Sequence, residues 1–262
     1  MKTRSFMGGP LLPILTGCLF FGGWEAIVRL LDIPTIVLPP PSSIVVALWG
    51  SVGSADFQWA VVVTLYEIVA GFALGALSGL ILGFIIALSP LAERLLYPYV
   101  VAFQTLPKVA VAPIIVIWFG YGLNSKIIIT ATIAFFPLLA NTIMGLRAAP
   151  PDQIDMMVSY TASRWQVFRM IRLMQALPYI FVGLDVAIVL SVIGAIVGEF
   201  VGAKAGLGYL LMQKNFNFDM AGTFAILFVL SLIGVILHAA VRLVQRRVIF
   251  WMDTTGKQSL SA

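Results

Sequence analysis

Hydrophobic side chains are gathered into six stretches of the length that a helix needs to cross about 30 Å of hydrocarbon. The stretches are 11–31, 68–88, 95–119, 127–146, 178–200 and 222–244. None shows the two-residue alternation of a membrane β-barrel strand, and open sheet edges cannot be satisfied in lipid. The pattern therefore predicts an all-α, polytopic membrane protein with six transmembrane helices.

The first stretch has a second interpretation as a signal peptide, because Lys2 and Arg4 precede an apolar run. The run is long, however, and it lacks a convincing small-residue cleavage site before Glu25. A transmembrane helix is the favoured interpretation.

Prolines and polar residues predict shorter elements between the spans. The proline-rich run 38–43 ends the first helix, and Ser42 or Ser43 is placed to cap a short helix over 44–49. The segment 55–67 is predicted to be a separate amphipathic piece that lies on or enters the membrane. The third stretch, 95–119, contains three prolines, at positions 98, 107 and 113.

The longest polar segment is 147–176. Pro150 and Pro151 end the fourth span, since a residue before proline avoids the helical region. Asp152 is placed to cap a first short helix that runs to Tyr160. Residues 163–166 have the spacing of a capping box, so a second helix should begin there. The pattern alone allows two interpretations: a helix lying among lipid headgroups, or a docking element for a soluble partner.

Composition excludes most other classes of protein. The chain has 262 residues, of which 61% are hydrophobic and 10% charged, whereas a soluble domain has about 25% charged residues. A soluble enzyme, a disordered regulator and a disulfide scaffold are excluded. The single Cys18 cannot form an internal disulfide, so the redox compartment cannot be inferred from it.

The distribution of basic residues predicts the orientation in the membrane. No Lys or Arg occurs from residue 30 to residue 93, as expected of an exported loop. If both termini are cytoplasmic, the inner segments hold most of the basic residues, namely Lys2, Arg4, Arg94, Arg147, Arg164, Arg169, Arg172, Arg242, Arg246, Arg247 and Lys257. The outer ends then hold only Arg29, Lys126, Lys204 and Lys214. Both termini are therefore predicted to be cytoplasmic.

No enzyme motif is found. A phosphate-binding loop of the form G-x-x-x-x-G-K-[ST] does not occur, so the chain is not expected to bind ATP in that way. One cysteine and one histidine, His238, cannot form a zinc site, and His238 is interpreted as a packed or interfacial residue. We therefore predict no catalytic residue, no metal site and no nucleic-acid partner. Gly71, Gly75, Gly79 and Gly83 form a groove for another helix, from this chain or a second copy.

Ionisable residues within spans are costly and are therefore candidates for function. Lys108 lies about midway along the third span between Pro107 and Pro113, and broken membrane helices are tolerated where they line a cavity. Gln104 and Lys108 are hypothesised to face a central pathway, with Lys108 attracting an anionic substrate. The alternative is an ion pair that joins helices, for which Asp185 is the obvious partner. Glu199 lies near the outer end of the fifth span and is a further pathway candidate, whereas Glu25 and Glu67 are expected to be interfacial.

The 147–176 segment resembles the cytoplasmic loop of permease subunits of ATP-binding-cassette importers, in the nitrate, sulfonate, taurine and bicarbonate branch. That loop reads E-A-A, three residues, G, nine residues, I-x-L-P. This chain has Asp155-Met156-Met157, three residues, Thr161, nine residues and Ile171-Arg172-Leu173-Met174. The spacing is intact, while Asp155, the two methionines, Thr161 and Met174 depart from the motif.

Other segments are similar to the same family and extend the resemblance over residues 39–251. They are Leu38-Pro39-Pro40-Pro41, the run 106–113, Trp118-Phe119-Gly120-Tyr121-Gly122, Leu177-Pro178-Tyr179-Ile180 with Gly183-Leu184, Gly198-Glu199-Phe200, and Gly206-Leu207-Gly208-Tyr209. The run 104–108 looks closer to members that carry aromatic or heteroaromatic compounds.

The resemblance implies a single transmembrane permease domain over 1–262 in a bacterial cytoplasmic (inner) membrane. It implies a pair of permeases, two ATPase subunits that bind ATP and Mg, and an external substrate-binding protein. This chain itself would hold no cofactor. The residues expected to contact the ATPase are Asp155, Ser159, Thr161, Ala162, Ser163 and Arg164, and the loop 202–208 is expected to shape the outer gate or the binding-protein contact.

The resemblance also indicates the cargo, a small anion (sulfonate, taurine, nitrate or bicarbonate) or a small aromatic or heteroaromatic compound. One alternative is a secondary transporter driven by an ion gradient, which would predict inverted repeats that are not found here. A second alternative, a scaffold subunit without a pathway, leaves Lys108 between its prolines unexplained.

Overall fold

The computed structural model describes residues 11–251, and every regular element in that range is helical. Five helices are long and apolar enough to cross a membrane, and a bent pair of shorter helices can form a further span. The helices are α1 (Leu11–Leu30), α2 (Pro41–Val52), α3 (Ala55–Leu88), α4 (Pro90–Thr105), α5 (Lys108–Phe119), α6 (Leu123–Arg147), α7 (Pro151–Ser159), α8 (Arg164–Val167), α9 (Leu173–Phe200), α10 (Leu207–Phe216) and α11 (Met220–Val248). The predicted all-α membrane architecture is confirmed. Lys2, Arg4 and Lys257, used in the topology prediction, lie outside the described residues.

Helix α3 is one continuous helix of 34 residues, about 51 Å long at 1.5 Å per residue. Its N-terminus is capped by the Ser54 side chain, which accepts a hydrogen bond from the backbone N–H of Phe57. The prediction of a separate amphipathic piece over 55–67 is wrong. The polar residues in that part of the helix do not interrupt backbone hydrogen bonding, and the helix contains no proline.

The predicted third span, 95–119, is not a single helix. It is divided into α4 and α5, which meet at an angle of 100°. The break lies at Leu106, whose extended backbone (ψ 136°) is the conformation that a following proline enforces. Pro107 then precedes the first residue of α5. By contrast, Pro98 and Pro113 lie inside α4 and α5.

Helix α6 forms the centre of the bundle, and α3 packs closely against it through small residues. An added Cβ at Gly75 would lie 2.5 Å from the carbonyl oxygen of Ala131, and one at Gly79 would lie 2.8 Å from that of Phe135. These distances are shorter than a side chain permits, so glycine is required for this approach. The helix that fills the predicted groove, lined by Gly71, Gly75, Gly79 and Gly83, is therefore from the same chain.

Helix α9 approaches a neighbouring side of α6 in the same way, so that Thr130 of α6 lies against both Gly71 of α3 and Gly194 of α9. An added Cβ at Gly194 would lie 2.8 Å from the Cα atom of Thr130, and one at Gly183 would lie 3.0 Å from the Cβ atom of Asn141. Helices α3 and α9 also contact each other, since Ile68 packs against Ile188 and Val192. The three helices form a tightly packed core.

Two predicted caps are wrong. Helix α2 begins at Pro41 with Pro40 at its N-cap and no side-chain cap; the Ser42 hydroxyl instead donates to the Glu25 carboxylate at 2.8 Å. Helix α7 begins at Pro151 with Pro150 at its N-cap, so Asp152 lies in the first turn and does not cap it. In both helices proline occupies the first helical position, where its fixed φ favours the start of a helix and its missing N–H costs no intrahelical hydrogen bond.

Candidate functional site

The segment 147–176 folds as two short helices joined by a tight turn. Helix α7 ends in a Schellman motif: the Ala162 N–H donates to the Met157 carbonyl at 3.0 Å and the Thr161 N–H to the Val158 carbonyl at 2.9 Å. Thr161 has φ +58°, a conformation that glycine normally supplies. Thr161 therefore stands where the related loops carry glycine, and the backbone at this position is left-handed.

The predicted capping box of α8 is confirmed. The Ser163 side chain accepts from the Gln166 N–H, and the Gln166 side chain accepts from the Ser163 N–H at 2.7 Å. The box fixes the direction in which the chain leaves the turn. It therefore sets the orientation of α8 relative to α7.

Most of the predicted partner-contact residues are exposed. Asp155, Ser159, Thr161, Ser163 and Arg164 are open to solvent, and Ala162 is half-buried. Large apolar side chains lie among them: Tyr160 is 77% exposed and Trp165 is 65% exposed. Aromatic side chains at this level of exposure beside polar ones are typical of a protein-binding surface.

This surface is joined to the membrane helices without a flexible linker. Helix α8 continues through a π-helical turn, Phe168–Arg172, directly into α9. The Phe168 ring packs between Phe84 of α3, with centroids 6.1 Å apart, and Trp165, with centroids 5.3 Å apart. A force on α8 is therefore transmitted to both α3 and α9.

Gln104 and Lys108 lie on either side of the break between α4 and α5. Lys108 is the first residue of α5 rather than a mid-helix residue. Its Nζ atom is 3.5 Å from the backbone carbonyl oxygen of Gln104 and 4.7 Å from the ring centre of Phe136. Within residues 11–251 no carboxylate lies within 4.0 Å of Lys108. A Lys108–Asp185 ion pair is therefore not formed.

Asp185 pairs instead with α11. Its Oδ1 atom is 2.5 Å from Nδ1 of His238, and its Oδ2 atom is 3.9 Å from Nε of Arg242. His238 packs at the interface of α9 and α11, in agreement with the interpretation that it is a packed residue. Nothing in this placement brings Asp185 to the break at Lys108.

Glu199 is 1% exposed and lies inside the protomer. Its carboxylate accepts from the Thr64 hydroxyl at 2.5 Å and from the backbone N–H groups of Gly208 and Tyr209 at the start of α10. These donors occupy the carboxylate and leave it almost inaccessible to solvent. Its position favours an anchoring role over the predicted role on the pathway.

Two further buried charged residues, Glu67 and Lys126, lie near Glu199. The sequence shows that these residues are charged but not that they lie together. Glu67 is 0% exposed and Lys126 is 5% exposed, and Lys126 Nζ is 3.5 Å from Glu67 Oε1. The expectation that Glu67 is interfacial is wrong, because α3 begins thirteen residues earlier than the predicted span and Glu67 is fully buried within the bundle. Lys126, which the topology prediction places at an outer end, lies in the first turns of α6 and is buried in the bundle. The sequence does not reveal the pairing of Glu67 with Lys126, because the two residues are far apart along the chain.

The described residues form a helical membrane bundle with a bent helix pair and an exposed two-helix segment that continues into α9. The family model described as "Binding-protein-dependent transport system inner membrane component" matches residues 79–250, more than half of the chain. The chain belongs to this family.

Curated relatives agree with the family. The chain is 36% identical over 228 residues to the formylaminopyrimidine transport permease protein ThiX of Halalkalibacterium halodurans, covering 87% of this chain and 90% of that protein. It is also 36% identical over 228 residues to the riboflavin transport system permease protein RibX of Chloroflexus aurantiacus, covering 87% and 85%. Permeases named for aliphatic sulfonates (Bacillus subtilis), taurine (Escherichia coli) and nitrate (Leptolyngbya laminosa) match at 28% identity. The resemblance to the nitrate, sulfonate and taurine branch is thereby confirmed.

A solved structure shows the same fold. The MetNI methionine ABC transporter, in an inward-facing conformation, aligns with a TM-score of 0.64 and 20% identity over 74% of this chain and 99% of the matched chain. The fold of this chain is therefore the permease fold that the sequence resemblance predicts.

Proposed function

We propose that this chain is the permease subunit of an importer that is driven by ATP hydrolysis in a partner subunit. The observation that carries the proposal is the exposed surface of α7 and α8, which continues without interruption into α9. Such a surface suits a soluble partner whose movement tilts the helices. Binding of ATP and Mg belongs to that partner, because this sequence contains no phosphate-binding loop.

The pathway in this proposal lies between two copies of the permease. Lys108 and Gln104 lie at the break between α4 and α5, at the edge of the protomer, and the side chains of Ile117 and Trp118 on α5 are largely exposed. A second copy placed against this edge would enclose the two polar residues. An external binding protein would deliver the solute to the end of the bundle formed by the loop 202–208.

In the proposed orientation, both termini and the 147–176 segment are cytoplasmic. Arg147, Arg164, Arg169 and Arg172 then lie on the cytoplasmic side, as the positive-inside rule requires. Arg147 pairs with Glu93 at 2.8 Å, which joins the ends of α4 and α6 on that side. The membrane is the bacterial cytoplasmic membrane.

The proposed cargo is a small heteroaromatic compound. The two relatives with 36% identity are named for formylaminopyrimidine and riboflavin. In this chain the groove between α3, α4 and α6, with a volume of about 500 Å³, is lined by Tyr99, Phe103 and Phe136. One of these rings, Phe136, lies 4.7 Å from the Lys108 Nζ atom, and an aromatic lining near an ammonium group suits a ring that carries polar substituents. The second candidate is a small anion, which Lys108 would attract directly.

Transport by the purified proteins tests the mechanism. The permease, its ATPase and its binding protein are reconstituted into liposomes, and uptake of the binding protein's ligand is measured. The proposal predicts uptake that requires ATP and stops when the ATPase subunit is omitted. Uptake by the permease alone in response to an ion gradient would instead support the secondary-transporter alternative.

Lys108→Met is expected to lower uptake about ten-fold, because an interaction with a charged group contributes about 1.5–3 kcal/mol. The methionine keeps the length of the side chain and removes the ammonium group. Lys108→Arg is the matched control and should retain most of the uptake. Unchanged uptake in the methionine variant, with normal protein levels, would remove Lys108 from the pathway.

A further inference from the structure

The buried cluster of Glu67, Glu199 and Lys126 lies at the end of the bundle that faces outward in the proposed orientation. It contains two carboxyl groups and one ammonium group. Glu67 of α3 and Glu199 of α9 are neighbours: the hydroxyl of Thr64, one turn before Glu67 on α3, donates to the Glu199 carboxylate, and the two carboxyl groups are close enough to interact. Lys126 of α6 is the one cation within 4.0 Å of either carboxyl group among residues 11–251. All three residues are at least 95% buried. If both carboxyl groups were ionised, the cluster would carry one uncompensated negative charge out of reach of water.

The two carboxyl groups have different environments. Glu199 accepts from the Thr64 hydroxyl and from the N–H groups of Gly208 and Tyr209, at the positively polarised start of α10. Neither oxygen of Glu67 has a hydrogen-bond partner when it is treated as an acceptor. Several hydrogen-bond donors therefore stabilise the ionised form of Glu199, whereas the Lys126 ammonium at 3.5 Å is the one group that would stabilise an ionised Glu67.

We propose that Glu67 is a neutral carboxylic acid whose O–H group donates to the Glu199 carboxylate. One proton then accounts for both observations: it gives Glu67 a partner, and it leaves a single carboxylate to balance Lys126. Two ionised carboxylates in contact would repel each other at low dielectric, and an unpaired buried charge is strongly destabilising.

The proton on Glu67 adds one hydrogen bond to a network that attaches the outer loop 202–208 to the bundle. Thr64 donates to Glu199 and also accepts from the Leu207 N–H at 2.7 Å, so Thr64 and Glu199 together satisfy three N–H groups at the start of α10. This ties the loop 202–208 to α3 and α9. Other charged groups nearby are occupied or exposed: Lys214 pairs with Asp219, and Lys204 is open to solvent.

Infrared spectroscopy of the purified permease tests the proposal. A protonated carboxyl group has a carbonyl stretching band that ionised carboxylates lack, and the band shifts when H₂O is exchanged for D₂O. We expect the wild-type spectrum to contain such a band and the Glu67→Gln spectrum to have lost it. The glutamine has the shape of the neutral acid and donates to Glu199 through its amide, so the variant should fold and keep its thermal midpoint.

Glu93→Gln is the matched control, since Glu93 is a half-exposed carboxylate paired with Arg147, and it should leave the acid band intact. Identical wild-type and Glu67→Gln spectra would show that Glu67 is ionised and would overturn the proposal. A second result would also overturn the proposal: the wild-type protein lacks the band, and added Na⁺ or K⁺ stabilises it but does not stabilise Glu67→Gln. A cation would then occupy the place of the proton. The ATP-dependent uptake described above is measured separately and does not depend on this result.

Discussion

Thr161→Pro is expected to abolish ATP-driven uptake, whereas Thr161→Gly is expected to preserve it. Thr161 occupies a left-handed conformation with φ +58° and donates its N–H to the Val158 carbonyl. Proline fixes φ near −65° and has no N–H, which costs about 3 kcal/mol or more. The turn between α7 and α8 would open, and the exposed surface would lose its shape.

The glycine variant is the matched control because it removes strain instead of adding it. A β-branched residue at positive φ costs about 1–3 kcal/mol, and glycine adopts the conformation freely. We expect Thr161→Gly to retain both uptake and recovery of the ATPase in co-purification, and Thr161→Pro to lose both while still being inserted in the membrane. Full uptake by the proline variant would show that the geometry of this turn does not matter for coupling.

Gly75→Leu is expected to prevent stable folding of the bundle. A Cβ at this position would lie 2.5 Å from the carbonyl oxygen of Ala131 and 3.0 Å from the Cβ atom of Ala134. The first of these atoms is backbone, and α3, α6 and α9 all pack against one another, so α6 cannot move aside without disturbing its contacts with α9. Overpacking of a tight core costs about 3 kcal/mol or more in the free energy of unfolding when the backbone cannot move.

The measurement is the thermal midpoint and the monodisperse fraction after extraction in detergent. Gly22→Leu provides the matched control, since it introduces the same side chain in a helix where no atom lies within 4 Å of the added Cβ. Gly75→Ala should lie between the control and the leucine variant. Equal stability of Gly75→Leu and Gly22→Leu would contradict the close packing of α3 on α6.

Membrane spans could be predicted from the sequence because hydropathy depends only on local composition. The extent of α3 could not, since Asp56, Gln58 and Glu67 lower the local hydropathy without breaking the helix. The break at Leu106 was indicated by Pro107, yet Pro98 and Pro113 gave the same signal and lie within helices. Which proline ends a helix depends on tertiary contacts that no local pattern contains.

The parts of the candidate site that are local were predictable. The capping box of Ser163 and Gln166 spans four residues and was recognised from spacing alone. The cluster around Glu199 was not, because Thr64 and Glu199 are 135 positions apart. A charged residue in an apolar span indicates a partner, but the partner's identity depends on which helices are neighbours, as the pairing of Asp185 with His238 instead of Lys108 illustrates.

The central claim is that the 147–176 segment lies on the cytoplasmic face and docks on an ATPase. The most direct measurement places a single cysteine at Ser159, in a Cys18→Ser background, and reacts it with a membrane-impermeant maleimide. We predict no labelling in intact cells, strong labelling of inverted membranes stripped of the ATPase, and protection when the ATPase is added back. Labelling from outside intact cells, or no protection by the ATPase, would contradict the account.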